Sequence, residues 1–161
     1  MRRFSYITAF MIVAISGVLA AQGAKGPEHS LLAPADIKWG APPPVFEKGA
    51  QFAVISGDPG KPGYFVVRLR MPAGYKIAPH WHPTDEHVTV MSGRLSLGMG
   101  DKANAAAMKD LPAGGYAMLP ADMRHFVTAK VATEVQVSGS GPFVLTYVNA
   151  ADDPSKRMVK K

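Results

Sequence analysis

Two histidines and a glutamate stand within seven positions of one another in the middle of this chain, as His80-Trp81-His82, a Pro83-Thr84-Asp85 spacer and Glu86, with Gly74 before them and Gly93 after. An extended strand sends alternate side chains to one face, so His80 and His82 point together, and the Pro-Thr-Asp bend lets Glu86 return toward them. Two imidazoles and a carboxylate converging from one hairpin are donors for a divalent metal. A second stretch supplies a fourth donor. Gly114-Gly115, then the turn-forming Pro120-Ala121-Asp122, lead to a lone histidine, His125, which runs into the β-prone Phe126-Val127-Thr128.

Three neutral imidazoles and one carboxylate fill four positions of an octahedron and leave two for water, oxygen or a chelating substrate. The set suits a divalent transition metal, with Fe, Mn, Zn, Ni and Cu all admissible and calcium and magnesium disfavoured. With Fe(II) such a site could act as a dioxygenase on a catechol, thiol or enolate-type substrate; with Mn or Zn it could polarise a carbonyl for decarboxylation, isomerisation or hydrolysis. Other chemistry finds little support. The chain has 0 cysteines, which excludes disulfides, thiolate nucleophiles and thiolate metal sites. It shows no Ser-His-Asp spacing, no Gly-rich phosphate loop and no dedicated general acid or base beside the ligands.

The neighbouring residues have plainer expectations. His87 follows Glu86, so strand alternation turns it to the opposite face, and Trp81 alternates away from its flanking histidines as a packing aromatic. Arg124 and Asp122 read as a turn-stabilising pair, Gln136 as a polar residue behind the ligands, His29 as a solvated residue, and Met91, Met99, Met118 and Met123 as core packing.

The elements that must position these groups are short and β-prone. Strand character recurs over residues 51–55, 64–71, 80–82, 86–91, 94–99, 115–119, 125–130, 133–138 and 143–149, with Gly and Pro turns between. Gly93 marks a hairpin tip and Gly74 the turn into the ligand strand. Only the Ala-rich 102–109 could form a helical turn. This rhythm predicts an all-β sandwich or barrel in one domain. Ahead of it, residues 24–47 are rich in Pro, Ala and Gly and include Pro42-Pro43-Pro44, an arm expected to lie along a sheet edge or cross to a partner subunit, anchored by Trp39, Val45 and Phe46.

At this point the sequence resembles a known family. The stretch from Gly74 to Gly93 matches the first motif of the cupin superfamily at every fixed position, and the stretch from Gly114 to His125 is similar to its second. Asp122 stands where that pattern usually has glycine, and Ala129 where it often has asparagine. The resemblance covers roughly residues 50–149, and the run from His80 to Val90 looks like that of small exported bacterial cupins. It implies a double-stranded β-helix, the jelly-roll barrel, over residues 48–150, with His80, His82, Glu86 and His125 holding a divalent metal inside it. It also makes oxygenase-type activity on a small molecule the leading enzyme reading. The alternative is a non-catalytic barrel that binds or senses a metal or small ligand.

Composition sets the remaining expectations. Residues 1–20 have the order of a secretory leader, with basic Arg2 and Arg3, an apolar run from Tyr6 to Leu19 and a Val18-Leu19-Ala20 cleavage signal, so the mature protein is expected in the periplasm or secreted, with no stable membrane insertion after cleavage. Of 18 basic residues, six lie in the leader or in the basic tail over 151–161, which leaves 12 against 10 acids, since Asp152 and Asp153 lie in the same tail. A nearly neutral body argues against nucleic acid. A small molecule and a second copy, giving a homodimer, are the expected partners.

Overall fold

The computed structural model describes residues 29–157, so the leader-like residues 1–20 lie outside the described part. The chain divides into a unit ending at Leu31 and a unit beginning at Leu32, and the barrel belongs wholly to the second. Among the described residues no helix is long and apolar enough to cross a membrane.

Ten strands form two five-stranded antiparallel sheets. They are β1 (Gln51–Ser56), β2 (Gly63–Met71), β3 (Lys76–Trp81), β4 (Glu86–Ser92), β5 (Arg94–Met99), β6 (Lys109–Pro112), β7 (Tyr116–Leu119), β8 (His125–Ala129), β9 (Thr133–Gly141) and β10 (Thr146–Tyr147). One sheet has the order β1-β2-β9-β4-β7 and the other β10-β3-β8-β5-β6, which is a jelly-roll barrel. Alternation builds the core. Along β2, Phe65, Val67, Leu69 and Met71 are buried while their neighbours face out, and Val135 and Val137 of β9 do the same. They meet Leu95 and Leu97 of β5 and Val127 and Ala129 of β8 across the barrel. Each large side chain so buried contributes roughly 1.5–3 kcal/mol.

β5 departs from alternation, with Leu95, Ser96, Leu97 and Gly98 all buried. Its outer face is covered as well, because the Ser96 hydroxyl donates to Asp110 and a Cβ at Gly98 would collide with the Phe126 ring. The hairpin glycine Gly93 is required for two reasons: its φ is 80°, and a Cβ there would meet the Thr133 backbone.

Several expectations shift. β6 was not foreseen; residues 102–109 hold only a 3-10 turn at Ala105–Ala107 before it. β3 begins at Lys76, earlier than expected, and the last strand shrinks to β10. Met91, Met99, Met118 and Met123 are exposed and pack no core, since Met91 and Met118 sit on outward positions of β4 and β7, Met99 ends β5 and Met123 lies in a loop. The first residues of the basic tail are structured, with Pro154 buried in a short helix, α1 (Pro154–Arg157), and Arg157 paired to Glu47.

The arm, as expected, covers an edge. Gly40 and Phe52 exchange both backbone hydrogen bonds at 2.9 Å, extending the sheet beyond β1. Trp39 lies under the Arg70 guanidinium, 3.9 Å from ring centroid to Cζ. Arg70 also shares Glu134 with Arg68, and Arg68 reaches Gln136. Gln136 therefore faces outward, away from the ligands, because Val135 and Val137 take the inward positions.

Candidate functional site

Register brings the four predicted donors together. β3 pairs with β8 so that His80 lies directly opposite His125, and His82 follows the end of β3. Glu86 opens β4 in the facing sheet, opposite Leu119 and Gly139. The 83–85 bend that links the sheets is pinned from both sides: the Asp85 carboxylate accepts from the Ala121 amide at 2.8 Å, and the Thr84 hydroxyl donates to Ser140. His80, His82, Glu86 and His125 are 3, 4, 7 and 2% exposed. One donor nitrogen from each histidine lies within 4.8 Å of the other two, so the three rings could hold a metal ion.

Each ring is oriented by a backbone carbonyl. His80 Nδ1 is 2.8 Å from Ala78 O, His82 Nδ1 3.0 Å from Val144 O and His125 Nδ1 2.9 Å from Met123 O. A carbonyl only accepts, so each Nδ1 carries the hydrogen and a neutral ring offers its Nε2 lone pair inward. The Glu86 carboxylate meets these lone pairs, with Oε2 3.1 Å from His125 Nε2 and 3.6 Å from His82 Nε2. His82 Nε2 and Glu86 Oε2 are fully buried without a hydrogen-bond partner among the described residues. Lone pairs and a carboxylate pressed together in a buried site repel, and a cation among them, proton or metal, relieves the repulsion. Two ligands each ~2.1 Å from one ion lie about 3–4 Å apart, which is the spacing of Glu86 Oε2 from His125 and His82. The residues fit a divalent transition metal.

Electrostatics agrees. Burial pushes the His80 imidazole down to about 3, with the neighbouring His125 and His82 adding to the effect. Burial also lowers His82, against the pull of Glu86. For Glu86 burial acts to raise the carboxyl, yet the close approach of His125, with His82 and His80 behind it, outweighs burial and holds the group below the usual carboxylate range, so the pocket favours a positive charge beside Glu86. Neutral imidazoles and an ionised carboxylate are the forms a metal takes.

The donors form one wall of a cavity of about 160 Å³. Its other walls are apolar, among them Val67, Leu69, Ile77, Leu97 and Val137 from the barrel. Sequence reading missed two contributors. Phe143 stacks on the His82 ring at 4.0 Å between centroids, next to the carbonyl of Val144 that orients it, and the arm supplies Pro43, Val45 and Phe46. The arm's anchors were visible as apolar residues; that they face the metal donors depends on long-range contacts.

The neighbours sort as follows. His87 is on the outer face, its Nδ1 2.7 Å from the Tyr116 hydroxyl. Trp81 is half-buried and points away from the cavity. Arg124 pairs with Asp101 at 3.2 Å, so the expected Asp122–Arg124 pair gives way to a contact between the end of β5 and the loop before β8. Asp122 has φ 64°, the left-handed conformation that explains why glycine is usual there, and its amide donates to His82 O.

The sequence model of the ChrR cupin-like domain matches residues 27–144. No curated protein matches the chain. Among solved structures it is similar to the polyketide cyclase RemF from Streptomyces resistomycificus, at 14% identity and a TM-score of 0.66 over 81% of this chain and 93% of that one. It is similar to KdgF from Halomonas sp., at 18% identity and a TM-score of 0.55 over 69% and 94%. These two likenesses speak to fold alone. A candidate acetylacetone dioxygenase from Methylibium petroleiphilum PM1 is similar at 25% identity, with a TM-score of 0.59 over 81% and 89%.

Proposed function

Because the chain belongs to the ChrR cupin-like domain family, we propose that it is a metal-dependent barrel whose His80, His82, Glu86 and His125 hold one divalent transition metal, and that it acts as a dioxygenase on a small apolar substrate. The observation that carries this reading is the cavity of about 160 Å³ beside the donors, since a metal serving structure alone needs no such space. Its walls favour oxygen chemistry over the other reactions the donors admit. Among the described residues that line it, the four donors are the only ones with polar side chains. Decarboxylation, isomerisation and hydrolysis call for a positioned acid or base, and none is offered.

A bound redox-active metal would supply Lewis acidity and electron transfer to oxygen. The chain's own residues do the rest. The Ala78, Val144 and Met123 carbonyls fix the three rings, Glu86 supplies the negative charge, and the apolar walls exclude bulk water and leave room for about a benzene-sized molecule, as cavities of ~150 Å³ do. The 25% likeness to a candidate acetylacetone dioxygenase supports a small enolisable substrate of the β-diketone type. The leader-like residues 1–20 support placing the mature chain in the periplasm or outside the cell.

The same apolar walls favour a second reading, a non-catalytic barrel that binds a metal or small ligand, because among the described lining residues only the donors have polar side chains to offer a substrate. Oxygen uptake separates the two. Protein loaded in turn with Fe(II), Mn(II) and Zn(II) is given a panel of β-diketones, catechols and thiols; turnover with a redox-active metal and none with zinc supports the dioxygenase, and binding without uptake across the panel leaves the second reading.

A further inference from the structure

The arm enters the cavity at a turn. The Phe46 amide donates to Pro43 O at 3.0 Å, closing a turn with Pro44 at the position where its fixed φ is favoured. The carbonyls on either side of Phe46 are then seized by two tyrosines from distant parts of the chain. The Tyr147 hydroxyl donates to Val45 O at 2.9 Å and the Tyr75 hydroxyl to Glu47 O at 2.8 Å. Both tyrosines are buried, and Tyr147 lies opposite His80 in the β3–β10 pair. Arg157 pairs with the Glu47 carboxylate, so the C-terminal helix secures the same point. Phe46 is thereby held half-buried against the core, with its ring on the cavity that the metal donors share.

A backbone tied at the residues before and after one side chain leaves that side chain little freedom to yield. Barrel walls set by strand register cannot move to admit a larger molecule, whereas an arm could, unless it is latched. We propose that Phe46, latched through the Tyr75 and Tyr147 hydroxyls, is the specificity-determining residue that sets the upper size of the ligand admitted beside the metal donors. The inference rests on the reading that a ligand enters this cavity, and it assigns that ligand a size near benzene with uncharged, apolar groups against these walls.

The test uses probes that need no metal, so it stands apart from the metal question. Metal-free protein is titrated with benzene, toluene and n-butylbenzene while the melting temperature is followed. Wild type is expected to be raised by benzene and toluene and not by n-butylbenzene. Phe46→Ala should improve n-butylbenzene binding relative to toluene at least tenfold, and the milder Phe46→Leu should move the ratio the same way by less, which covers the case where the alanine variant does not fold. The Tyr75→Phe/Tyr147→Phe pair keeps both rings, removes only the latch and should also admit n-butylbenzene. Zinc content is measured in parallel: size selection that persists in protein unable to bind zinc would sink the metal reading and leave this one standing. Folded Phe46 variants with the wild-type affinity ratio, wild type that binds n-butylbenzene as well as toluene, or a cavity that takes none of the probes would overturn it.

Discussion

Metal-free protein should lose stability steeply between pH 7 and pH 5, and the buried histidines set the size of the loss. Burial lowers His80 from 6.5 to about 3. A group whose folded pKa lies below its unfolded value binds protons more readily in the unfolded chain, so its contribution is complete above pH 6.5 and falls away as pH drops toward the folded value. For His80 alone the linkage amounts to ~2 kcal/mol between pH 7 and pH 5, within a ceiling of roughly 5 kcal/mol over the whole window. His82, lowered by the same burial, steepens the fall. Glu86 is also lowered, but from 4.5, so its loss begins below this range and does not blur it. The assay is urea unfolding of EDTA-treated protein at half-unit steps. His80→Gln, which cannot titrate, should flatten the curve by about the His80 share. A wild-type stability unchanged from pH 7 to pH 5 would refute the claim that these rings are held neutral by burial.

Further outcomes follow from single contacts. Gly98→Ala pushes a methyl group into the Phe126 ring in a fully covered strand and should cost about 1–3 kcal/mol, read as a drop in urea midpoint. Asp122→Val places a β-branched residue at φ 64° and should cost at least ~1 kcal/mol, whereas Asp122→Gly should be tolerated. Tyr147→Phe removes one hydrogen bond to the arm and should cost about 1 kcal/mol while speeding limited proteolysis near Val45; unchanged cleavage would argue that the hydroxyl does not hold the arm.

The donors were legible because their spacing is local: His80, His82 and Glu86 depend on one strand and one bend, and both form as the residue types dictate. His125 was legible as a lone histidine between a turn and a β-prone run, but its place across from His80 depends on pairing between distant strands that nothing near it in sequence specifies. The strand rhythm also carried, yet β6 escaped because Lys109-Asp110-Leu111-Pro112 has neither alternation nor β-branching and is a strand only by pairing at the sheet edge with β5. Gln136 was misjudged although Val135 and Val137 fix its face. The cavity's closure lay beyond reach, as Tyr147 and Val45 are 102 positions apart and no local pattern links a tyrosine to a distant carbonyl. The exposed methionines show the same limit from the other side: an apolar residue type does not say which face of its strand is covered.

Metal stoichiometry probes the four-donor site itself. Protein purified without chelator or nickel affinity, then analysed by inductively coupled plasma mass spectrometry, should carry about one equivalent of a divalent transition metal per chain. His80→Ala, His82→Ala, Glu86→Ala and His125→Ala should each lower that content, and His87→Ala, on the outer face beside Tyr116, should leave it unchanged. A wild-type chain that neither retains nor takes up such a metal, or a His87→Ala variant that loses it while His125→Ala keeps it, would contradict the account.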